Sequence, residues 1–329
     1  MSGTLWSASS PCTTACLTQD PPRQAVSPAV TARRYAAFLA TLAGAAAAGQ
    51  RLAEEDELRL RAGSLLADLG ICLVCDADGL AVPAPDTGIG TLIVANHISW
   101  LDVLALLAVQ PGMLLAKREV GEWPLVGTLV RRAGTRFIDR GSPRELPNTV
   151  RELAALLRSG ESVIVFPEGT TWCSSPGGPF RRATFQAALD AGAPVRPVTL
   201  SYASHGAPTT LPAYVSDGTF VGSLHRIAAA RGLSVRVTAH PALSPAGHDR
   251  RSLAALAHDV VSGQRAAIPA PTRRPLTHAV PADVRPVAAM TAVMTASMSV
   301  TAPTAPDRAS RPSLLRTRAR PSVRARRLP

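Results

Sequence analysis

From residue 71 onward, short apolar runs alternate with stretches of helical length, and few architectures accept that alternation. Runs at 71–75, 91–95, 113–116, 135–138, 162–166, 195–202 and 234–239 read as strands. Stretches at 100–109, 124–132, 145–159, 182–191 and 250–265 read as helices. Strands that alternate with helices build an α/β domain, a central sheet with helices on its faces. No internal repeat is visible, so one domain ending near Arg265 is expected.

Three polar clusters stand directly after such runs: NHISWLD after TLIVA, DRGS after TRFI, and PEGTT after SVIVF. In open α/β sheets, ligands bind outside the carboxyl ends of the strands, so three clusters at three such ends point to one shared site. The first cluster holds His97 and Asp102, five residues apart. On one continuous helix, residues five apart point about 140° from each other and cannot touch. Ser99 offers a way out: it is a good N-cap, and Asp102 follows three residues later as in a capping box. A helix beginning after Ser99 leaves His97 in the preceding loop, within reach of Asp102. Two readings stand. Asp102 caps a helix and His97 is a satisfied loop histidine; or Asp102 holds one imidazole nitrogen and leaves the other as a general base. A His–Asp pair without a serine is the lower part of a hydrolase triad, with the hydroxyl left to a substrate. No serine stands in a G-x-S-x-G elbow, which argues against a hydrolase.

Taken in order, NHISWLD, RFIDRG and FPEGTT resemble the glycerolipid acyltransferases of the lysophosphatidic acid acyltransferase type. That family carries N-H-x-x-x-x-D, a strand ending in an Arg, F-P-E-G-T, and a strand with a buried Pro, here Pro197. The blocks span roughly 92–198. The resemblance implies a central mixed sheet flanked by helices. It also implies acyl transfer from acyl-CoA, or acyl-carrier protein, to the free hydroxyl of a lysophospholipid. The first acceptor is 1-acyl-glycerol-3-phosphate and the product phosphatidic acid. His97 and Asp102 are then the catalytic pair. Arg140 would hold the acceptor phosphate through a permanently charged fork, the alternative being a surface pair with Asp139 or Glu145. Glu168, Gly169 and Thr170 would form part of the acceptor site, and Asn96 and Lys117 would complete the substrate contacts. No metal and no cofactor is implied, the thioester being a cosubstrate. The stretch FRRATFQAALDAGAPVRPVTLSY also suits relatives that acylate lyso-ornithine lipids, whose head carries an amino acid in place of phosphate. The implied partners are the lysophospholipid, the acyl donor and the membrane surface, without nucleic acid. The implied location is the cytoplasmic face of the cell membrane, peripheral or monotopic.

Composition divides the chain into a leader (1–30), a helical segment (31–70), the acyltransferase-like domain (71–265) and a tail (266–329). The leader has no basic region followed by an apolar stretch; it reads as loose and disordered, not as a signal peptide. Residues 35–49 are apolar and mostly Ala; as a helix they would span about 22 Å, short of the roughly 30 Å hydrocarbon core. They read either as a helix in the membrane interface, with Arg33 and Arg34 at the headgroups, or as one packed on the domain. The tail holds eleven Arg against Asp283 and Asp307, so it carries +9 of the net +12. Its Pro, Ala, Thr and Ser bury too little apolar surface to fold, so it reads as disordered. A rival reading makes the chain a non-catalytic binder of anionic lipid or nucleic acid through this tail.

Five cysteines, an odd count, argue against a disulfide scaffold. Cys72 and Cys75 form a C-x-x-C without a second ligand pair for zinc. They fall on a strand, where a redox pair would open a helix, and read as buried structural thiols. Cys173 follows F-P-E-G-T within the Gly-rich stretch TWCSSPGGPF, which reads as a mobile loop near the acceptor.

Overall fold

Strand β2 (Leu92–Ala95) is buried at every residue, as an apolar run with no polar face requires. It sits in the middle of a sheet that, in a computed structural model, has eight strands among the described residues. Those residues are 8–17, 25–82, 87–117, 136–138 and 145–263. The helix expected at 124–132, Arg140, and the tail from 266 lie outside them.

The other strands are β1 (Cys72–Cys75), β3 (Met113–Lys117), β4 (Arg136–Ile138), β5 (Val163–Val165), β6 (Val195–Ser204), β7 (Ala207–Pro208) and β8 (Leu233–Ala239). Their order is β1-β8-β6-β2-β5-β3-β4, with β7 on β6. β2 runs parallel to both its neighbours, β5 and β6, while β6 and β8 pair antiparallel, so the sheet is mixed.

Alternate residues of β2 feed two cores. Ile93 and Ala95 join a cluster with α1 (Pro28–Ala48), α2 (Glu55–Asp68), α3 (Leu101–Val109) and α6 (Phe220–Ala229). Leu92 and Val94 join a second cluster with α4 (Leu146–Arg158), α5 (Ala183–Ala191) and α7 (Arg250–Val261). Period-two alternation therefore places one helical layer on each face of the sheet. Local signals fix several helix ends. Asp249 and Ser252 form a reciprocal capping box on α7. Gly192, at φ +66°, takes the left-handed cap of α5.

Three expectations need correction. The leader is not loose throughout. Residues 14–16 form a 3-10 turn, and Cys12 and Leu17 are buried. Asp217 accepts from the Thr14 N–H (2.8 Å) and hydroxyl (2.9 Å), which gives the start of that turn the acceptor it otherwise lacks. Helix α1 begins at Pro28, capped by Ser27, three residues before the helical segment expected from 31. Its Arg34 does not point to a headgroup layer: the guanidinium donates to the Ala228 and Ala230 carbonyls (2.9 and 2.6 Å), satisfying the last turn of α6. Finally, Cys75 is buried but Cys72 is exposed, because residues three apart on a strand face opposite sides. Helix α6 was not anticipated by the strand–helix alternation. Its cap, Thr219, and its buried Leu224, Ile227 and Ala228 follow helical spacing.

Candidate active site

The register of β2 builds the site. Val94 pairs with Val165 on β5, so three residues further on His97 stands level with Glu168. The backbone N–H of His97 donates to Glu168 Oε2 at 2.7 Å. The peptide that follows F-P-E-G-T returns the contact, with Trp172 N–H donating to the His97 carbonyl at 2.8 Å. On the other side, Val94 pairs with Pro197 on β6. Asn96 fastens that edge: its amide donates to the Leu200 carbonyl (3.0 Å) and accepts from the Leu200 N–H (2.8 Å). Asn96, expected among the substrate contacts, thus has both ends of its amide committed to β6 and is 2% exposed.

Asp102 ties down the loop as well as the histidine. Its Oδ2 accepts from the Ile98 and Ser99 N–H groups (2.6 and 2.8 Å), which holds the turn that leads into α3. The Ser99 hydroxyl accepts from Leu101 N–H at 3.3 Å on the same turn. The same Oδ2 lies 2.9 Å from His97 Nδ1. Its Oδ1 accepts from the Tyr202 hydroxyl at 2.6 Å. A proton on Nδ1 makes this a fourth donated bond and leaves the lone pair on Nε2. No described residue bonds Nε2, and the His97 side chain is 20% exposed while that of Asp102 is fully buried. Phe166 stacks on the imidazole, ring centres 4.0 Å apart and planes 18° apart, and fixes the ring plane.

Tyr202 was missed by the sequence reading. The signal was available: it lies on the buried face of β6 with Val198 and Leu200, and a buried tyrosine hydroxyl needs a partner. Burial and the neighbouring Asp102 charge raise its pKa well above the ordinary tyrosine value, so it acts as a donor. Burial also pushes the Glu168 carboxyl up to about 8; the His97 N–H bond opposes the shift and the Asp102 charge adds to it.

Gly169 sits at φ +77° in the turn after β5, a conformation that favours glycine. A side chain there would also crowd Ala8 and Arg181, within 3.0 and 3.1 Å of an added Cβ. Thr170 is half-buried on the same turn. Lys117 ends β3, with its side chain outside the described residues. The Gly-rich stretch is not a free loop: Gly178 is buried, and both Gly177 and Gly178 lie against the Trp172 indole. Among the described residues, no group of three possible metal ligands includes His97, Asp102 or Glu168.

His97, Asp102, Glu168 and Asn96 all lie within a stretch that matches a known family. Residues 82–201 match the family model described as Acyltransferase. A 1-acyl-sn-glycerol-3-phosphate acyltransferase of Neisseria meningitidis is 40% identical over 156 residues, 47% of this chain and 61% of that protein. A lyso-ornithine lipid O-acyltransferase of Pseudomonas aeruginosa is 37% identical over 171 residues, 52% of this chain and 66% of that protein. The chain thus spans less than two thirds of the length of either relative. Among solved structures, the 1-acyl-sn-glycerophosphate (LPA) acyltransferase of Thermotoga maritima aligns with a TM-score of 0.47 at 21% identity, over 64% of this chain and 77% of that one. Residues 82–201 thus carry the Acyltransferase family signature, and over this part the chain is similar to glycerolipid acyltransferases.

Proposed function

We propose that the chain transfers a fatty acyl group from a thioester, acyl-CoA or acyl-carrier protein, to the free hydroxyl of a lysophospholipid. The observation that carries this reading is the His97–Asp102 pair, with Nδ1 held at 2.9 Å and Nε2 left without a described partner. In the proposed step, Nε2 takes the proton of the acceptor hydroxyl as its oxygen attacks the thioester carbonyl. The C–S bond breaks, the ester forms, and the imidazolium returns the proton to the departing thiolate. Asp102 keeps the tautomer and steadies the transient positive ring. No acyl-enzyme is required.

1-Acyl-glycerol-3-phosphate is the first acceptor, because the Neisseria relative carries that name at 40% identity. Arg140, outside the described residues, is assigned its phosphate, with Lys117, Glu168, Gly169 and Thr170 around the remainder of the acceptor. Lyso-ornithine lipid is the second acceptor, on the name of the Pseudomonas relative. No helix among the described residues is long and apolar enough to cross a membrane. We assign access to lipid to α1, α2 and α6, which carry the exposed Leu39, Leu60 and Val221. The site would work at the cytoplasmic face, where the water-soluble donor meets the lipid.

The test offers one labelled acyl-CoA to both lysolipids, in liposomes, with wild type and His97→Ala. Turnover in the variant should fall by roughly 100- to 10,000-fold. Wild-type turnover by His97→Ala would remove the mechanism, and product from lyso-ornithine lipid alone would move Arg140 out of the phosphate role.

A further inference from the structure

Three of the five cysteines converge at a place the acyl-transfer chemistry does not use. Cys12 and Cys16 bracket the 3-10 turn Thr14–Cys16, in a C-x-x-x-C spacing within the range that metal sites use. Cys173 arrives from the other side, five residues after Glu168. The three Sγ atoms all lie within 4.8 Å of one another. The Cys12 and Cys173 sulfurs stand 3.3 Å apart, and the Cys173 N–H donates to the Cys12 sulfur at 3.3 Å.

We propose that Cys12, Cys16 and Cys173 form a three-thiolate site for a thiophilic d10 cation, with Zn²⁺ as the ion. Five arguments support it. A tetrahedral ion with Zn–S bonds of about 2.3 Å needs sulfurs about 3.8 Å apart; one pair stands at 3.3 Å and all three lie within 4.8 Å, so small shifts reach that value. An all-sulfur set selects soft or borderline cations over Mg²⁺ or Ca²⁺. The turn is held by bonds that leave the sulfurs unused: Asp217 takes the Thr14 N–H and hydroxyl, the Thr210 hydroxyl donates to the Cys16 carbonyl (2.8 Å), and the Ser216 hydroxyl donates to the Cys12 carbonyl (3.1 Å). The N–H directed at the Cys12 sulfur is the outer hydrogen bond a metal-bound thiolate takes. Three sulfurs also exceed what a disulfide can use.

Binding releases the thiol protons to water and forms three S–Zn bonds. The fourth position opens beside Cys16, the exposed member of the three, and takes water. The ion would tie residues 12–16 to the peptide that holds Glu168 and grips the His97 carbonyl. The proposal does not depend on the acyl-transfer reading.

The full chain, reduced and freed of metal, is titrated with Co²⁺ alone. Thiolate-to-cobalt charge-transfer absorption should rise and saturate at about one equivalent per chain, then vanish on adding Zn²⁺. Cys12→Ser, Cys16→Ser and Cys173→Ser should each cut retained metal to less than about a tenth of that. Cys72→Ser and Cys75→Ser should retain it. A second measurement needs no variant: Zn²⁺ should protect Cys12, Cys16 and Cys173, but not exposed Cys72, from alkylation read by mass spectrometry. No charge-transfer band, metal that follows Cys72, or unprotected thiols would overturn the proposal. So would a metal-free chain whose mass, two hydrogens lighter, maps to a Cys12–Cys173 disulfide.

Discussion

Two buried carboxyl groups meet at His97 with different company. Asp102 accepts from Tyr202, Ile98, Ser99 and His97. Glu168 accepts from the His97 backbone N–H, and burial lifts its pKa from 4.5 to about 8. That shift has a sign. Between the two values, the folded chain keeps a proton that the unfolded chain has released. The stability this proton gives is fully present below about 4.5 and is lost as pH rises through about 8. Wild type should therefore lose melting temperature between about pH 5 and pH 8 more steeply than Glu168→Gln, whose amide still accepts from His97. Thermal denaturation across that range checks it; parallel curves would mean Glu168 ionises freely. The sequence marked both carboxyls, because each follows an apolar strand. It could not say that Asp102 holds the turn and the imidazole at once, with Tyr202 arriving from a strand a hundred residues away to fill its other oxygen.

At the scale of elements, the strands were the most legible part. Continuous apolar runs such as LIVA and VIV have no amphipathic alternative, and they fall on β2 and β5 within a residue of the expected limits. The less legible segments are ordered by distant partners. The 3-10 turn near Cys16 depends on Asp217, and the end of α6 on Arg34. The stretch after F-P-E-G-T belongs with these. Its glycines read as freedom, yet they serve close packing: an added Cβ at Gly178 would stand 2.4 Å from the Trp172 ring. A rigid indole cannot yield as a flexible side-chain end can. Gly178→Ala should therefore cost about 1–3 kcal/mol, as overpacking does. Because Trp172 N–H holds the His97 carbonyl, the same change should also lower turnover. Chemical denaturation together with the acyl-transfer assay reads both effects. An unchanged midpoint would show that the loop moves aside freely.

Across the whole molecule, charge and fold separate. The sheet and both helical layers are complete by Val261, the end of α7. Residues 266–329 hold +9 of the net +12, so most of the net charge follows the last described helix in sequence. If each basic residue near anionic lipid contributes about 1 kcal/mol, three arginines give about 3 kcal/mol, roughly a hundredfold in affinity. A chain ending at Gly263 should keep the melting temperature of the full chain. It should bind anionic vesicles roughly a hundredfold more weakly at low salt, and the difference should shrink as added salt screens the charges. On zwitterionic vesicles the two chains should bind alike, because what remains is apolar contact through Leu39, Leu60 and Val221. Vesicle co-sedimentation at two salt concentrations separates the terms. Equal binding of both chains to anionic vesicles would place the membrane contact in the helices alone and leave the basic tail without a part in it.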